Sequence, residues 1–80
     1  MNQSNDIVNA LQSLMRTFFK QPHLTINTQT TADEINEWDS LNHMNFIHEV
    51  ELLFDIQFQF VEVMAFENIG QLVKSIQQKV

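Results

Sequence analysis

The chain has 80 residues, 44% of them apolar, with one Gly, one Pro and no Cys, and its net charge is −6. This length predicts one small domain over residues 1–80, and the scarcity of Gly and Pro favours helices over a turn-rich β fold. The lack of Cys excludes disulfides and thiolate metal sites, and the acidic charge argues against nucleic-acid binding, which needs a basic surface.

No apolar run in the chain is long enough to cross a membrane, which takes about 18 residues. The first six residues, Met-Asn-Gln-Ser-Asn-Asp, lack the charged-then-apolar pattern of a secretion signal. We therefore expect a cytoplasmic protein without a membrane span, and a monomer as the simplest state.

The first segment has apolar residues at helical spacing, which predicts an amphipathic helix from about Asn5 to Lys20. Ser4 or Asn5 would cap this helix, and Pro22 would end it. Its apolar stripe consists of Ile7, Val8, Leu11, Leu14, Met15, Phe18 and Phe19.

Residues 21 to 39 have no clear period and predict a long loop, which is unusual in a compact domain and often functional. Four apolar side chains are expected to fix this loop to the core: Leu24, Ile26, Ile35 and Trp38. We also expect the indole N–H of Trp38 to find a hydrogen-bond partner.

A second helix is predicted from Ser40, a good N-cap residue, to about Phe54. At 100° per residue, its apolar groups fall on two sides. The predicted core face consists of Phe46, Ile47, Val50, Leu53 and Phe54. The nearly opposite stripe mixes apolar and acidic groups, which is unusual for a solvated face: Leu41, Met44, His48, Glu51 and Leu52.

The last third of the chain predicts a short helix and a final long one. Residues 55–60 alternate polar and apolar groups, but no second strand is available, so we predict an extended loop there. A helical turn is expected over Glu62 to Phe66, and Asn68 can cap a helix whose apolar face holds Ile69, Leu72, Val73 and Ile76. The expected fold is all-α, a small four-helix bundle of three main helices and one short helix.

The region from Gln21 to Val73 holds nine of the ten carboxylates and no Lys or Arg. Ser40 lies inside this acidic stretch, at the predicted start of a helix. Because a helix N-terminus offers free N–H groups and a partial positive charge, it suits a phosphate carried on that hydroxyl. The acidic surroundings fit basic protein partners.

Three segments resemble the acyl carrier proteins: Asp39-Ser40-Leu41, the residues from Glu51 to Phe58, and those from Phe66 to Val73. The resemblance covers nearly the whole chain. It implies a carrier that catalyses nothing, with 4′-phosphopantetheine from coenzyme A attached to Ser40 by a phosphopantetheinyl transferase. The implied partners are acyl-loading and acyl-processing enzymes with basic docking patches. Asp39 would help the transferase recognise the site, and the partner enzymes would bind the mixed stripe of the second helix: Leu41, Met44, His48, Glu51 and Leu52.

The chain also departs from this family. Members often have Gly shortly before the Asp-Ser pair, where this chain has Asn36, Glu37 and Trp38, and the segment Asn42-His43-Met44-Asn45 is less acidic than usual. These departures favour a dedicated carrier in a specialised biosynthetic pathway over general fatty-acid synthesis. The acyl group stays open among fatty-acid, polyketide, lipid-modifying and aminoacyl uses.

Two other classes of function are weighed. An unmodified helical adaptor could dock a basic partner through the mixed stripe. A Ser40–His43 nucleophile pair would suggest an esterase, but no strand-to-helix elbow or Gly-rich oxyanion segment accompanies it. We expect His43 to be a packing histidine and not to join His48 in a metal site.

A slightly loose core could also receive an acyl chain. The candidate lining residues are Phe46, Val50, Phe54 and Phe66.

Overall fold

The computed structural model describes residues 4–35 and 38–80, without the side chains of Ser4 and Ser40. The order of elements is α1 (Ser4–Phe18), a 3-10 helix (Ala32–Glu34), α2 (Ser40–Phe54), α3 (Phe60–Ala65) and α4 (Ile69–Lys79). The described residues contain no strand. The prediction of an all-α bundle with three main helices and one short one is confirmed, as is the long loop between α1 and α2. Asn36 and Glu37, where the family often has Gly, lie outside the described residues.

Most of the core consists of one stripe from each long helix, and Ile26, Ile35 and Val63 add to it. α1 packs against both α2 and α4. The residues buried to 1% exposure or less come from all three helices: Leu11, Met15, Phe46, Val50, Ile69, Leu72 and Ile76. Burying these apolar side chains supplies the main favourable free energy of folding. The predicted apolar faces of α1 and α4 are thus confirmed.

Leu53 is a correction to the predicted core face of α2. Its side chain is 49% exposed, whereas Phe46, Ile47 and Val50 are buried. Leu53 lies in the last turn of the helix and at one edge of the apolar stripe, so it extends past the packed core.

The end of α1 also differs from the prediction. The helix stops at Phe18 because Lys20 takes a left-handed conformation with φ of 56°. The N–H of Gln21 donates to the carbonyl of Arg16 at 2.9 Å, and that of Lys20 to the carbonyl of Thr17 at 3.3 Å. This is the Schellman arrangement, here without Gly, and it ends the helix before Pro22 is reached.

Two hydrogen bonds fix the long loop to α1. Gln12 of α1 accepts a hydrogen bond from the N–H of Ile26 at 2.9 Å, and the Nε of Arg16 donates to the carbonyl of Leu24 at 2.7 Å. Ile26 and Ile35 are buried, as predicted, and Leu24 packs partly buried against the core.

The same loop also satisfies the first N–H groups of α4, which have no partner within the helix. The carbonyl of Thr30 accepts from Ile69 at 2.9 Å, and that of Thr28 accepts from Gly70 at 2.7 Å. The side chain of Asn68 accepts from the N–H of Gln71, so the predicted cap of α4 is confirmed. The loop therefore serves as part of the start of α4.

Candidate functional site

The first turn of α2 is capped by Asp39. Its carboxylate accepts a hydrogen bond from the N–H of Asn42 at 2.9 Å, and the N–H of His43 donates to the Asp39 carbonyl at 2.8 Å. The prediction that Ser40 is the N-cap is therefore wrong by one residue, because a carboxylate one position earlier takes that role and Ser40 becomes the first residue of the helix. Both neighbours of Ser40 are exposed, Leu41 to 74%.

A cleft of about 670 Å³ opens beside this turn, between the start of α2, α3 and the loop. Its volume lies within the roughly 300–1,000 Å³ typical of small-molecule sites. The apolar and aromatic part of the lining comprises Ala32, Trp38, Met44, Phe60, Val63, Met64, Phe66 and Leu72. The polar part comprises Asp33, Asp39, His43, Glu67 and Asn68.

The lining of the cleft differs from the set of residues predicted to line an acyl chain. Phe46 and Val50 are fully buried in the packed core, and neither they nor Phe54 line the cleft. Only Phe66 of that prediction does. The cleft is lined by residues from the loop, α2, α3 and α4, which are distant in sequence, so helical periodicity cannot predict it.

Trp38 and His43 form one hydrogen-bonded unit on the wall of the cleft. The indole N–H of Trp38 donates to Nδ1 of His43 at 3.0 Å, and Nε2 of His43 lies 2.9 Å from the carbonyl oxygen of Val63. Trp38 also packs against Phe19 and Phe46, with ring centroids 5.8 and 5.4 Å apart. The predictions of an anchored Trp38 with a bonded indole and of a packing role for His43 are confirmed.

The residues of the predicted docking stripe lie along one side of α2. Met44 is 44% exposed and Leu52 64% exposed, and His48 is exposed as well. Glu51 differs, because one carboxylate oxygen accepts from the N–H of Phe58 at 2.8 Å while the other lies 3.7 Å from Nδ1 of His48. Glu51 therefore also holds the turn that follows α2.

Sequence reasoning missed the apolar surface of α3. Phe60, Val61 and Met64 are each more than 60% exposed. The helix begins at Phe60, two residues before the predicted turn of Glu62 to Phe66, and this earlier start adds Phe60 and Val61 to it. The available signal was the density of large apolar residues between Phe58 and Phe66.

Glu62 was also missed, and it ties α3 to α4. Its carboxylate accepts from the N–H of Gln59 at 3.0 Å, from Oγ of Ser75 at 2.8 Å and from Nζ of Lys79 at 3.0 Å. These hydrogen bonds, first the one from the Gln59 backbone, lower the pKa of Glu62 to about 2. The two partners on α4, Ser75 and Lys79, are 13 and 17 residues away in sequence, so no local pattern predicts these two bonds.

The described residues offer neither a membrane span nor a metal cluster. Within residues 4–35 and 38–80, no helix is long and apolar enough to cross a bilayer. In the same part of the chain, no group of three or more His, Asp and Glu side chains is placed to hold a metal ion.

The fold is similar to that of a solved protein. A solution NMR structure of a holo acyl carrier protein from Geobacter metallireducens matches the chain with a TM-score of 0.83. The two sequences are 32% identical over a match that covers 90% of this chain and 83% of that one. Comparison with protein-family models gives no match, and neither does comparison with curated proteins.

Proposed function

The chain belongs to the acyl carrier protein family, and we propose that it carries acyl groups on a 4′-phosphopantetheine arm attached to Ser40. The position of Ser40 carries this proposal: it is the first residue of α2, between the exposed residues Asp39 and Leu41. The holo state of the similar protein supports the arm itself. The chain is then a substrate of a phosphopantetheinyl transferase and not an enzyme.

The residues present fit a phosphodiester at this position. Between Gln21 and Val73 the sequence has no Lys or Arg to pair with a phosphate. The N-terminal end of α2 offers the partial positive charge and N–H groups that suit one. When bound, the arm supplies a terminal thiol that holds an acyl group as a thioester.

The cleft gives this chain a place to shelter that acyl group. Asp39, which precedes Ser40, lines the cleft together with His43 and Met44 of the first two turns of α2. The side chains of Phe60, Val63 and Met64 give the cleft an apolar wall on α3. An apolar acyl chain would leave water there, which lowers its free energy.

The exposed stripe of α2 is proposed as the docking surface for partner enzymes. Leu41, Met44 and Leu52 offer apolar contacts, and the absence of cations from residues 21–73 favours enzymes with basic patches. Asp39, His48 and Glu51 would contribute the polar contacts. The departures from the family near Ser40 favour a dedicated carrier of a specialised pathway.

Intact mass spectrometry tests attachment. The chain is incubated with coenzyme A and a broad-specificity phosphopantetheinyl transferase, together with the variants Ser40→Ala and Ser13→Ala. Wild type and Ser13→Ala are expected to gain the mass of one arm, and Ser40→Ala none. If wild type keeps its starting mass while another carrier protein is loaded in the same mixture, the unmodified adaptor becomes the better description.

A further inference from the structure

The imidazole of His43 uses both ring nitrogens to join two walls of the cleft. Nε2 lies 2.9 Å from the carbonyl oxygen of Val63, which can only accept, so Nε2 carries the proton. Nδ1 accepts the indole N–H of Trp38 at 3.0 Å and therefore has none. The two partners thus fix one neutral tautomer of His43, and the planes of the His43 and Trp38 rings are inclined by 26°.

Helix α3 is bonded to α2 through Val63 and to α4 through Glu62. Glu62, the preceding residue, is bonded to Ser75 and Lys79 of α4. Val63 is 4% exposed, and its backbone carbonyl makes the contact with His43. Among the hydrogen bonds of the described residues named above, the one that joins α3 to α2 is made by His43.

We propose that His43 is a positioning residue, whose neutral imidazole holds α3 and the segment before Ser40 together as the walls of the cleft. This inference rests on the proposed function for the role of the cleft. A protonated ring would place an N–H at Nδ1 against the indole N–H, donor against donor, and release Trp38. Three carboxylates line the same cleft: Asp33 and Asp39 on the loop before α2, and Glu67 after α3. The described lining of the cleft has no Lys or Arg.

Nuclear magnetic resonance of the chain without the arm tests this role. Trp38 is the one Trp in the sequence, so its indole N–H signal is unambiguous. His43→Phe keeps an aromatic ring but removes both hydrogen bonds. We expect it to speed amide exchange in α3 by about fivefold relative to α1, because the lost bond to Val63 is worth roughly a factor of five.

Rescue by a conservative variant separates positioning from simple packing. His43→Gln has a neutral acceptor and a donor, so it can replace both hydrogen bonds. It should keep α3 exchange near the wild-type rate and the indole N–H signal near its wild-type position. His48→Gln, at an exposed His on the same helix, should change neither.

Two results would overturn the proposal: unchanged α3 exchange in His43→Phe, or α3 exchange in His43→Gln that is as fast as in His43→Phe. If His43→Phe loses its fold altogether, His43→Gln decides alone, and α3 exchange about fivefold faster than in wild type would overturn the proposal. Because these measurements use the chain without its arm, they are independent of whether Ser40 can be loaded.

Discussion

The carboxylate of Asp39 accepts the backbone N–H of Asn42 at 2.9 Å and thereby starts the helix on which Ser40 is the first residue. The residue before Ser40 thus has a structural role, whatever else it contributes to recognition by a transferase. The same side chain lines the cleft beside the first turn of α2. Substitutions of Asp39 must therefore distinguish the effect of its N-cap hydrogen bond from the effect of its negative charge.

Asp39→Ala is expected to lower the free energy of unfolding by about 1 kcal/mol, the usual cost of losing an N-cap. Asp39→Asn should keep most of that stability, because an amide oxygen can accept the same N–H. Urea unfolding gives the stability, and the rate of arm transfer onto each variant gives recognition. Slow transfer in Asp39→Asn at wild-type stability would assign recognition to the charge. Equal stability of Asp39→Ala and wild type would contradict the cap.

Gly70→Ala is expected to destabilise the chain, although Ala favours helices over Gly by about 1 kcal/mol. A Cβ at position 70 would lie 2.8 Å from the carbonyl oxygen of Thr28, which also accepts the Gly70 N–H. The loop would have to shift, at a net cost of about 1–3 kcal/mol in unfolding free energy. Gln78→Ala, at an exposed site of α4, should change it by less than about 0.5 kcal/mol. A stabilised Gly70→Ala would refute the close approach of the loop to α4.

Acid should weaken the connection between α3 and α4. The pKa of Glu62 is lowered from 4.5 to about 2 in the folded chain, so the unfolded state takes up its proton first as the pH falls. Its contribution is complete above about pH 4.5 and is lost as the pH falls towards 2. In urea unfolding, the stability difference between wild type and Glu62→Gln should therefore shrink across this window.

Glu49→Gln, at an exposed site of α2, provides the comparison for Glu62→Gln. Its stability should follow the wild-type pH profile more closely. If the difference in unfolding free energy between wild type and Glu62→Gln stays constant from about pH 6 to about pH 2, the Glu62 carboxylate is not held by its three donors.

Met44→Glu should leave the fold intact and slow arm transfer roughly tenfold, because losing one apolar interface contact costs about 1–2 kcal/mol. Met44 is 44% exposed, so the added charge stays in water. Since Met44 also lines the cleft, Leu52→Glu tests the docking stripe away from it. Val80→Glu changes an equally exposed apolar residue outside the stripe and should transfer at the wild-type rate. If all three variants accept the arm at the wild-type rate, α2 is not the docking surface.

Sequence periodicity predicted the helices well where burial and local capping act together. The buried stripe of α4 and its Asn68 cap both depend on residues within one or two turns of each other. The end of α1 was placed two residues late, because the left-handed turn at Lys20 has no Gly to mark it. Likewise, Asp39 and Ser40 are both good caps, and the sequence alone does not decide between them.

The candidate site was predicted only as far as α2. The stripe containing Leu41, Met44 and Leu52 followed from helical geometry alone. The cleft did not, since it depends on the distance between α2 and α3 and on contacts such as His43 to Val63, 20 residues apart. Long-range hydrogen bonds of this kind leave no periodic signal in the sequence.

The most direct test of the carrier role is to locate the arm on the chain. After loading from coenzyme A, fragmentation of the peptide that contains residues 39–41 should place the phosphopantetheine on Ser40. The peptides containing Ser13 and Ser75 should stay unmodified. An arm found on another residue, or none at all with a transferase that loads a second carrier protein in the same tube, would contradict the assignment.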